Sequence, residues 1–368
     1  MRLTLDDTDG PMPAVARPLL PLLLLLAACA KGDKPAATDQ PSSMTSQPSG
    51  ELAYVTNEDS RDLTVIDVAT DSVIATIFVG TRPRGVRVSH DGKTVFIALT
   101  GSPKCPPTMP DEECDKLKKD PTLDGVAVVD VRTRTLLKTL PAGTDPETFD
   151  ISLDDRTLFV SNEDAGLLSI VDITTGAVTG SVKVGDEPEG VTVQPDGKIV
   201  WVTGESDHNI VGVDIATARP VQDIEVGQRP RSVAFLPDGS KGYVTNEVSG
   251  TVTVVDMASH RKIKAIAMGD KARPMGLAVA TDGKRVYASL GRGTTIAAID
   301  PATDSIVGTV EVGTRPWGIA ISNDGKKLYS ANGPSNDVTV VALATMTVIR
   351  KITVGSVPWG VAIGPAIR

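Results

Sequence analysis

Soft ligands and nucleophiles are scarce in this chain: its 368 residues include three histidines and three cysteines. His90, His208 and His260 lie far apart in sequence, so they offer no local imidazole set of the kind copper or catalytic zinc takes. No Cys-x-x-Cys pair, Cys-x-x-Cys-His haem attachment site, Gly-x-Ser-x-Gly elbow, P-loop or His-Glu-x-x-His occurs. His208 sits in the polar run Glu205-Ser206-Asp207-His208-Asn209, where a metal could find ligands, whereas His90 and His260 fall in turn sequences and read as solvated. Aspartate recurs at Asp67, Asp130, Asp172, Asp214, Asp256 and Asp300. Six copies at one repeat position fit a calcium ligand less well than a short acceptor capping the following turn. No metal and no cofactor is expected.

The residues that break the pattern flank a recurring Gly-x-x-Pro turn. After each proline stand Arg84, Glu147, Glu189, Arg231, Met275, Trp317 and Trp359; before it stand Arg82, Asp145, Glu187, Arg229, Arg273, Arg315 and Val357. Large aromatic groups in polar turns mark contact surfaces, and indoles beside guanidinium groups suit an anionic aromatic ligand, a nucleotide base or a partner's loop. The alternative is that both indoles cap neighbouring structure. The candidate binding set is Trp317, Trp359, Arg84, Arg82, Arg315, Arg273 and Arg231, with Glu147 and Glu189 as the acidic counterpart.

What must position these loops is legible from their spacing. The prolines Pro83, Pro146, Pro188, Pro230, Pro274, Pro316 and Pro358 are separated by 63, 42, 42, 44, 42 and 42 residues. The long interval is one period plus an insertion at 101–125, and the interval of 44 reflects two extra residues between Gly269 and Pro274. Each unit holds four short apolar runs bounded by turn signals. In the third unit they are 190–193, a Pro195-Asp196-Gly197 turn, 200–203, 210–214 and 221–226. The Asp-Gly turn recurs at Asp91, Asp196, Asp238, Asp282 and Asp324. Hydrophobic residues make up 40% and aromatics 3%, so the core must be mainly Val, Ile, Leu and Ala, which suits strands. Four antiparallel strands per 42 residues, seven times over, predict an all-β, seven-bladed β-propeller. Seven of the twelve aromatics (Tyr54, Phe96, Phe159, Trp201, Tyr243, Tyr287 and Tyr329) share one repeat position and read as wedges between blades. The repeat begins on a second strand and finishes on a first strand, so the N-terminal strands should pair with the C-terminal strand and close the ring.

Tyr54-Val55-Thr56-Asn57 and Tyr243-Val244-Thr245-Asn246, with Val252–Asp256 and the Val-Gly-x-x-Pro-x-Gly runs at 184–190 and 312–318, resemble the YVTN β-propeller repeat family. That family includes YncE-like periplasmic proteins, and the resemblance covers residues 51–368. It implies that the Gly-x-x-Pro loops share one face with the loops between second and third strands, around the mouth of a central channel. Trp317, Trp359 and Arg84 then lie on consecutive blades, with Arg315 and Arg82 adjacent, and an acidic sector of Asp145, Glu147, Glu187 and Glu189 lies across the mouth. Copper propellers need histidines, and quinoprotein propellers need tryptophan docking motifs, that this chain lacks. Lactonase propellers share the architecture, but no carboxylate–histidine constellation stands out.

Residues 18–28 are apolar, too short to span a bilayer, and end in Leu26-Ala27-Ala28-Cys29, which resembles a bacterial lipobox with Cys29 lipidated. Residues 1–28 are thus expected to be a lipoprotein signal peptide and 29–50, rich in Ser, Thr, Pro and Gln, a flexible tether. Ala30 after Cys29 favours the outer membrane under the enterobacterial sorting rule. Without residues 1–28, which hold two Arg and three Asp, the formal charge moves from −9 to −8, opposite in sign to a general nucleic-acid binder. In an oxidising compartment Cys105 and Cys114 are expected to pair within the insertion. The leading expectation is a monomeric, non-enzymatic envelope protein, anchored to the membrane through Cys29. Its loop face would bind a small-molecule ligand or protein partner. Single-stranded DNA binding, by resemblance to YncE, and an enzymatic or electron-transfer accessory role are the alternatives.

Overall fold

The computed structural model describes residues 50–366 apart from 105–108, 110 and 115. The expected signal peptide, Cys29 and tether lie outside the described residues. So does Cys105, and with it the expected disulfide.

Seven separate four-stranded antiparallel sheets form, each from one repeat unit. The first blade comprises Pro83–Val88, Thr94–Leu99, Gly125–Asp130 and Thr135–Leu140; the third comprises Pro188–Val193, Ile199–Gly204, Asn209–Asp214 and Arg219–Glu225. The fourth strand of the third unit thus starts two residues before the apolar run that marks it in the sequence. The reason is the aspartate ending each third strand. Asp214 Oδ1 accepts from the backbone N–H and the hydroxyl of Thr217 at 2.8 and 2.7 Å, which tightens the turn and lets pairing resume at once. Asp67, Asp130, Asp172 and Asp256 make the same pair of bonds to Thr70, Thr133, Thr175 and Ser259. These hydrogen bonds hold the carboxyls of Asp130, Asp172, Asp214 and Asp256 below the usual range. The aspartates are turn caps, spread over separate blades.

Each letter of the YVTN signature has a structural task. The aromatic position is buried in all seven blades, wedged against the next sheet. Tyr243 and Tyr329 also donate their hydroxyls across the blade boundary to Asp304 and Asp71, at 2.9 and 2.5 Å. Burial and the nearby aspartate push both phenols well above their ordinary range. The threonine hydroxyl reaches the next blade: Thr56 Oγ1 donates to the Arg84 carbonyl at 2.7 Å and Thr245 Oγ1 to the Met275 carbonyl at 2.6 Å. Serine replaces it at Ser161 and Ser289, bonding the Glu189 and Trp317 carbonyls at 2.7 Å each. The asparagine amide turns onto the third strand of its own blade, as Asn57 does to Thr64 Oγ1 at 2.8 Å.

Neighbouring inner strands pack backbone to backbone, which explains the glycine two residues beyond the proline. A Cβ on Gly190 would stand 2.4 Å from the Arg231 carbonyl oxygen, and one on Gly318 2.7 Å from that of Trp359. The ring closes as the sequence predicts: Pro358–Pro365 pairs antiparallel with Glu51–Asn57, from Glu51↔Pro365 to Asn57↔Pro358. The seventh blade is therefore built from both ends of the propeller.

Candidate functional site

The Gly-x-x-Pro loop is a strained turn held by one recurring bond. The residue before the proline is left-handed in six blades: Arg82, Asp145, Glu187, Arg229, Arg315 and Val357 have φ between 43° and 57°. Such a conformation costs a side chain about 1–2 kcal/mol. The loop is stitched to the loop after the second strand, whose first N–H donates to the pre-proline carbonyl; Glu58 does so to Val357 at 2.9 Å and Glu247 to Arg229 at 2.8 Å. In the fifth blade the two extra residues move the strain to Lys271 (φ 56°), while Gly291 still donates to the Arg273 carbonyl at 2.6 Å. Each inner strand then opens with a register shift just past the proline. Such bulges re-aim side chains, and Glu189, Arg231, Met275, Trp317 and Trp359 line a central cavity of about 110 Å³.

This ring divides differently from the sequence expectation. The cationic and acidic residues are not opposed sectors but pair across blade boundaries, Arg84 with Glu147 and Arg231 with Glu189. The sequence could not reveal this, because each pair joins residues about one repeat or more apart. Three further carboxylates complete the pairing, and the candidate set drawn from the sequence omitted all of them. Glu58 holds Arg82 at 2.8 Å, Lys104 at 2.9 Å and Arg84 at 3.4 Å. Glu205 holds Arg229, and also Arg231 at 2.6 Å. Glu247 holds Arg231 at 2.7 Å and Arg292 at 3.0 Å. Their signal was present, since glutamate directly follows the YVTN position at Glu58, Glu163, Glu205 and Glu247.

Burial works against the charge on Glu58, but Arg84, Arg82 and Lys104 outweigh it and hold the carboxyl at about 2. Glu189 goes the other way: full burial, partly opposed by Arg231 and reinforced by Glu205, pushes it up to about 8. Burial would depress Arg231, but Glu189, Glu205 and Glu247 together raise it. A raised carboxyl pKa means the folded state binds more protons than the unfolded one, so stability falls as pH rises from about 4.5 to about 8. Glu189→Gln is expected to flatten that slope, checked by urea unfolding at several pH values.

The other half of the ring is apolar. Trp317 and Trp359 meet edge to face, with centroids 5.3 Å apart at 62°, and Met275 is buried beside them. The Arg315 guanidinium lies 5.4 Å from the Trp317 ring centre. Neither Arg315 nor Arg273 takes part in an ion pair among the described residues; Arg273 donates to the backbone carbonyls of Glu247 and Val248 at 3.3 and 2.8 Å. Among the described residues, Trp359 Nε1 and Arg315 Nε are both buried without a hydrogen-bond partner.

The insertion rises beside this mouth and straps three blades together. Lys104 pairs with Glu58 and Asp59 at 2.9 and 2.5 Å on one side, and Lys119 with Asp164 at 2.5 Å on the other. The histidines take no part in the cavity. His90 bonds Asp155 of the next blade at 2.8 Å, His260 packs on Trp201 with ring centres 5.8 Å apart, and His208 is held by the Glu205 carbonyl at 3.0 Å. Among the described residues, no group of three or more His, Cys, Asp or Glu is placed to hold a metal ion.

Fold and mouth together define a seven-bladed β-propeller. The family model for YNCE-like β-propellers matches residues 120–241, and that for the lactonase seven-bladed β-propeller matches residues 191–350. The chain is a seven-bladed β-propeller, similar over these segments to YNCE-like and lactonase propellers. Among solved structures it is similar to Kuenenia stuttgartiensis hydrazine synthase, with 21% identity over 84% of this chain and 99% of that one, TM-score 0.68. It is also similar to a functionally unknown protein from Desulfotomaculum acetoxidans, with 14% identity over 86% and 99%, TM-score 0.70. A putative 6-phosphogluconolactonase from Bacteroides uniformis aligns at 20% identity over 85% and 99%, TM-score 0.69. At these identities the likeness concerns the fold alone. No curated protein matches the chain.

Proposed function

We propose that this propeller is a binding protein of the cell envelope, lipid-anchored at Cys29, that takes a ligand or partner segment at its mouth. One observation carries the reading. A position filled by ion pairs on four blades is filled by Met275, Trp317 and Trp359 on the other three, beside two buried donors with no hydrogen-bond partner and two cations in no ion pair among the described residues. Indoles leave such donors idle only at a cost, because an unmet buried N–H forfeits about 1–3 kcal/mol. The single-stranded DNA alternative is weakened because Arg84, Arg82 and Arg231 are neutralised by carboxylates rather than presented to phosphates.

Affinity purification from native membranes, followed by mass spectrometry, tests the reading. Trp317→Ala with Trp359→Ala is expected to lose what the wild type captures. Because both indoles are half-buried, each truncation should cost about half of the 3–5 kcal/mol typical of a fully buried large aromatic. Unchanged capture by the folded double variant would reject the mouth as the working surface. Cys29→Ser is expected to move the protein into the soluble envelope fraction.

A second reading has one specific support. Glu189, whose carboxyl is raised by burial, lines the cavity together with Arg231, and a general acid beside a cation is what lactone opening would use. Hydrolysis of 6-phosphogluconolactone, lost in Glu189→Gln, would establish it; equal rates with and without protein would exclude that substrate.

A further inference from the structure

We infer that the mouth docks an acidic peptide segment of a partner protein, whose carboxylates meet Arg273, Arg292 and Arg315 on the rim of the fifth and sixth blades. The inference rests on the reading of the mouth as the binding face and specifies the partner.

The three arginines stand on backbone segments that are stitched together. The Gly291 N–H donates to the Arg273 carbonyl at 2.6 Å and the Arg315 N–H to the Gly293 carbonyl at 2.8 Å, so Arg292 lies between the other two. Two of the side chains also meet at one neighbour. Arg292 Nε donates to Glu247 Oε1 at 3.0 Å, and Arg273 Nη1 donates to the Glu247 and Val248 carbonyls at 3.3 and 2.8 Å. These contacts leave most of the donors open. The Arg292 side chain is 53% exposed, and its terminal nitrogens make no hydrogen bond among the described residues. Only Nε of Arg315 is both buried and unpartnered; its two terminal nitrogens, also without a hydrogen bond among the described residues, reach solvent.

On this side of the mouth the arginines outnumber their carboxylates. Arg229, Arg231 and Arg292 all reach Glu247, at 3.6, 2.7 and 3.0 Å, and only Glu189 and Glu205 share the load. Arg273 and Arg315 are left in no ion pair among the described residues, a local positive surplus in a chain of formal charge −9. The surplus is felt by both kinds of group. Burial works against the charge on Glu247, but Arg231, Arg229 and Arg292 outweigh it and hold its carboxyl below the usual range. Burial and the neighbouring Arg292 both push Arg315 down from its usual range. Shape favours a peptide. Alternate side chains of an extended chain stand about 6.6 Å apart on one side, and a carboxylate matches the planar fork of a guanidinium. A nucleic acid strand carries a charge on every nucleotide and would run on into the third blade, where Asp186, Glu187 and Asp207 are exposed. A short acidic run stops before them.

Fluorescence anisotropy with the full chain at low ionic strength tests this, using a labelled peptide of four consecutive glutamates between Gly-Ser flanks. The same peptide with glutamines and a short oligothymidylate serve as comparisons. The glutamate peptide is expected to bind with Kd below about 1 mM, at least tenfold tighter than either comparison, and to weaken as salt is added. Arg273→Gln with Arg292→Gln should weaken it at least tenfold without shifting the melting temperature. Should that double variant melt early, Arg292→Gln alone, at an exposed side chain, should still weaken it at least threefold. Lys262→Gln with Lys351→Gln removes the same charge from the outer strands Arg261–Ala267 and Thr347–Thr353 and should leave the affinity unchanged. Equal binding of the glutamine peptide, tighter binding of oligothymidylate, or an equal loss in the lysine variant overturns the proposal. No binding of the glutamate peptide, with tryptophan-dependent capture from membranes intact, overturns the acidic partner and leaves the mouth reading standing. Loss of both results overturns both.

Discussion

A chain ending at Val357 is expected to lose cooperative folding, although it lacks only eleven residues. Pro358–Pro365 is the inner strand of the seventh blade and the strand through which the ring closes. Its removal strips the pairing from Glu51–Asn57 and takes away Val361 and Ala362, which are buried against the sixth and first blades. It also leaves Thr56 Oγ1 without the Gly360 N–H it accepts at 2.9 Å. Ladder bonds are worth about 1 kcal/mol each and large apolar side chains about 1.5–3 kcal/mol each on burial. Together they rival the ~5–15 kcal/mol net stability of an ordinary domain. The propeller would also become an open arc with two free sheet edges. A circular permutant provides the control. The Ala366 N–H donates to the Gly50 carbonyl at 2.6 Å, so residue 366 can be joined to Gly50 through an Asn-Gly turn. A chain running from Pro358 through 366 to Gly50 and on to Val357 should melt cooperatively within a few degrees of wild type. If the truncated chain keeps a sharp urea transition near the wild-type midpoint, ring closure contributes little to the stability of the propeller.

The fold was legible because the repeat encodes contacts that recur from blade to blade. Tyr243, Thr245 and Asn246 each satisfy a bond whose partner stands at a fixed repeat offset, so period alone locates it. Strand ends were less legible, since Asp214 and its equivalents tighten a turn that the apolar pattern leaves open. The mouth was legible by position and illegible by pairing. Sequence order places Arg84 and Glu147 on adjacent blades, but only the reach of a guanidinium across the boundary turns opposite charges into a pair. Glu58, Glu205 and Glu247 escaped notice for a related reason. They follow a motif whose own residues are structural, and their acceptors' role appears only when the pre-proline loop is folded beside them. Trp317 and Trp359 are half-buried partners of one another rather than exposed platforms.

Arg231→Met is expected to cost about 3–5 kcal/mol, the range found when one partner of a buried ion pair is removed. Arg231 is the single cation on which Glu189, Glu205 and Glu247 converge, and the side chains of all four are almost wholly buried. Methionine fills much of the space, so the loss is electrostatic rather than a cavity effect. The pH dependence separates the two. With the guanidinium gone, Glu189 and Glu247 lose its attraction while their burial remains, so both are harder to ionise in the folded state. The folded variant then binds protons that its unfolded form releases, and its stability must fall as pH rises through the carboxyl range. The gap between wild type and variant should therefore be small near pH 4 and widen toward pH 8, measured by urea unfolding at both. Adding Glu189→Gln, Glu205→Gln and Glu247→Gln to Arg231→Met should recover most of the loss at pH 8. Arg273→Met, which gives up bonds only to backbone carbonyls, should cost about 1 kcal/mol or less with no such slope. A pH-independent loss in Arg231→Met would mean that packing, not charge, holds this side of the ring. The ionic half could then no longer be set apart from the apolar half as scaffold from binding surface.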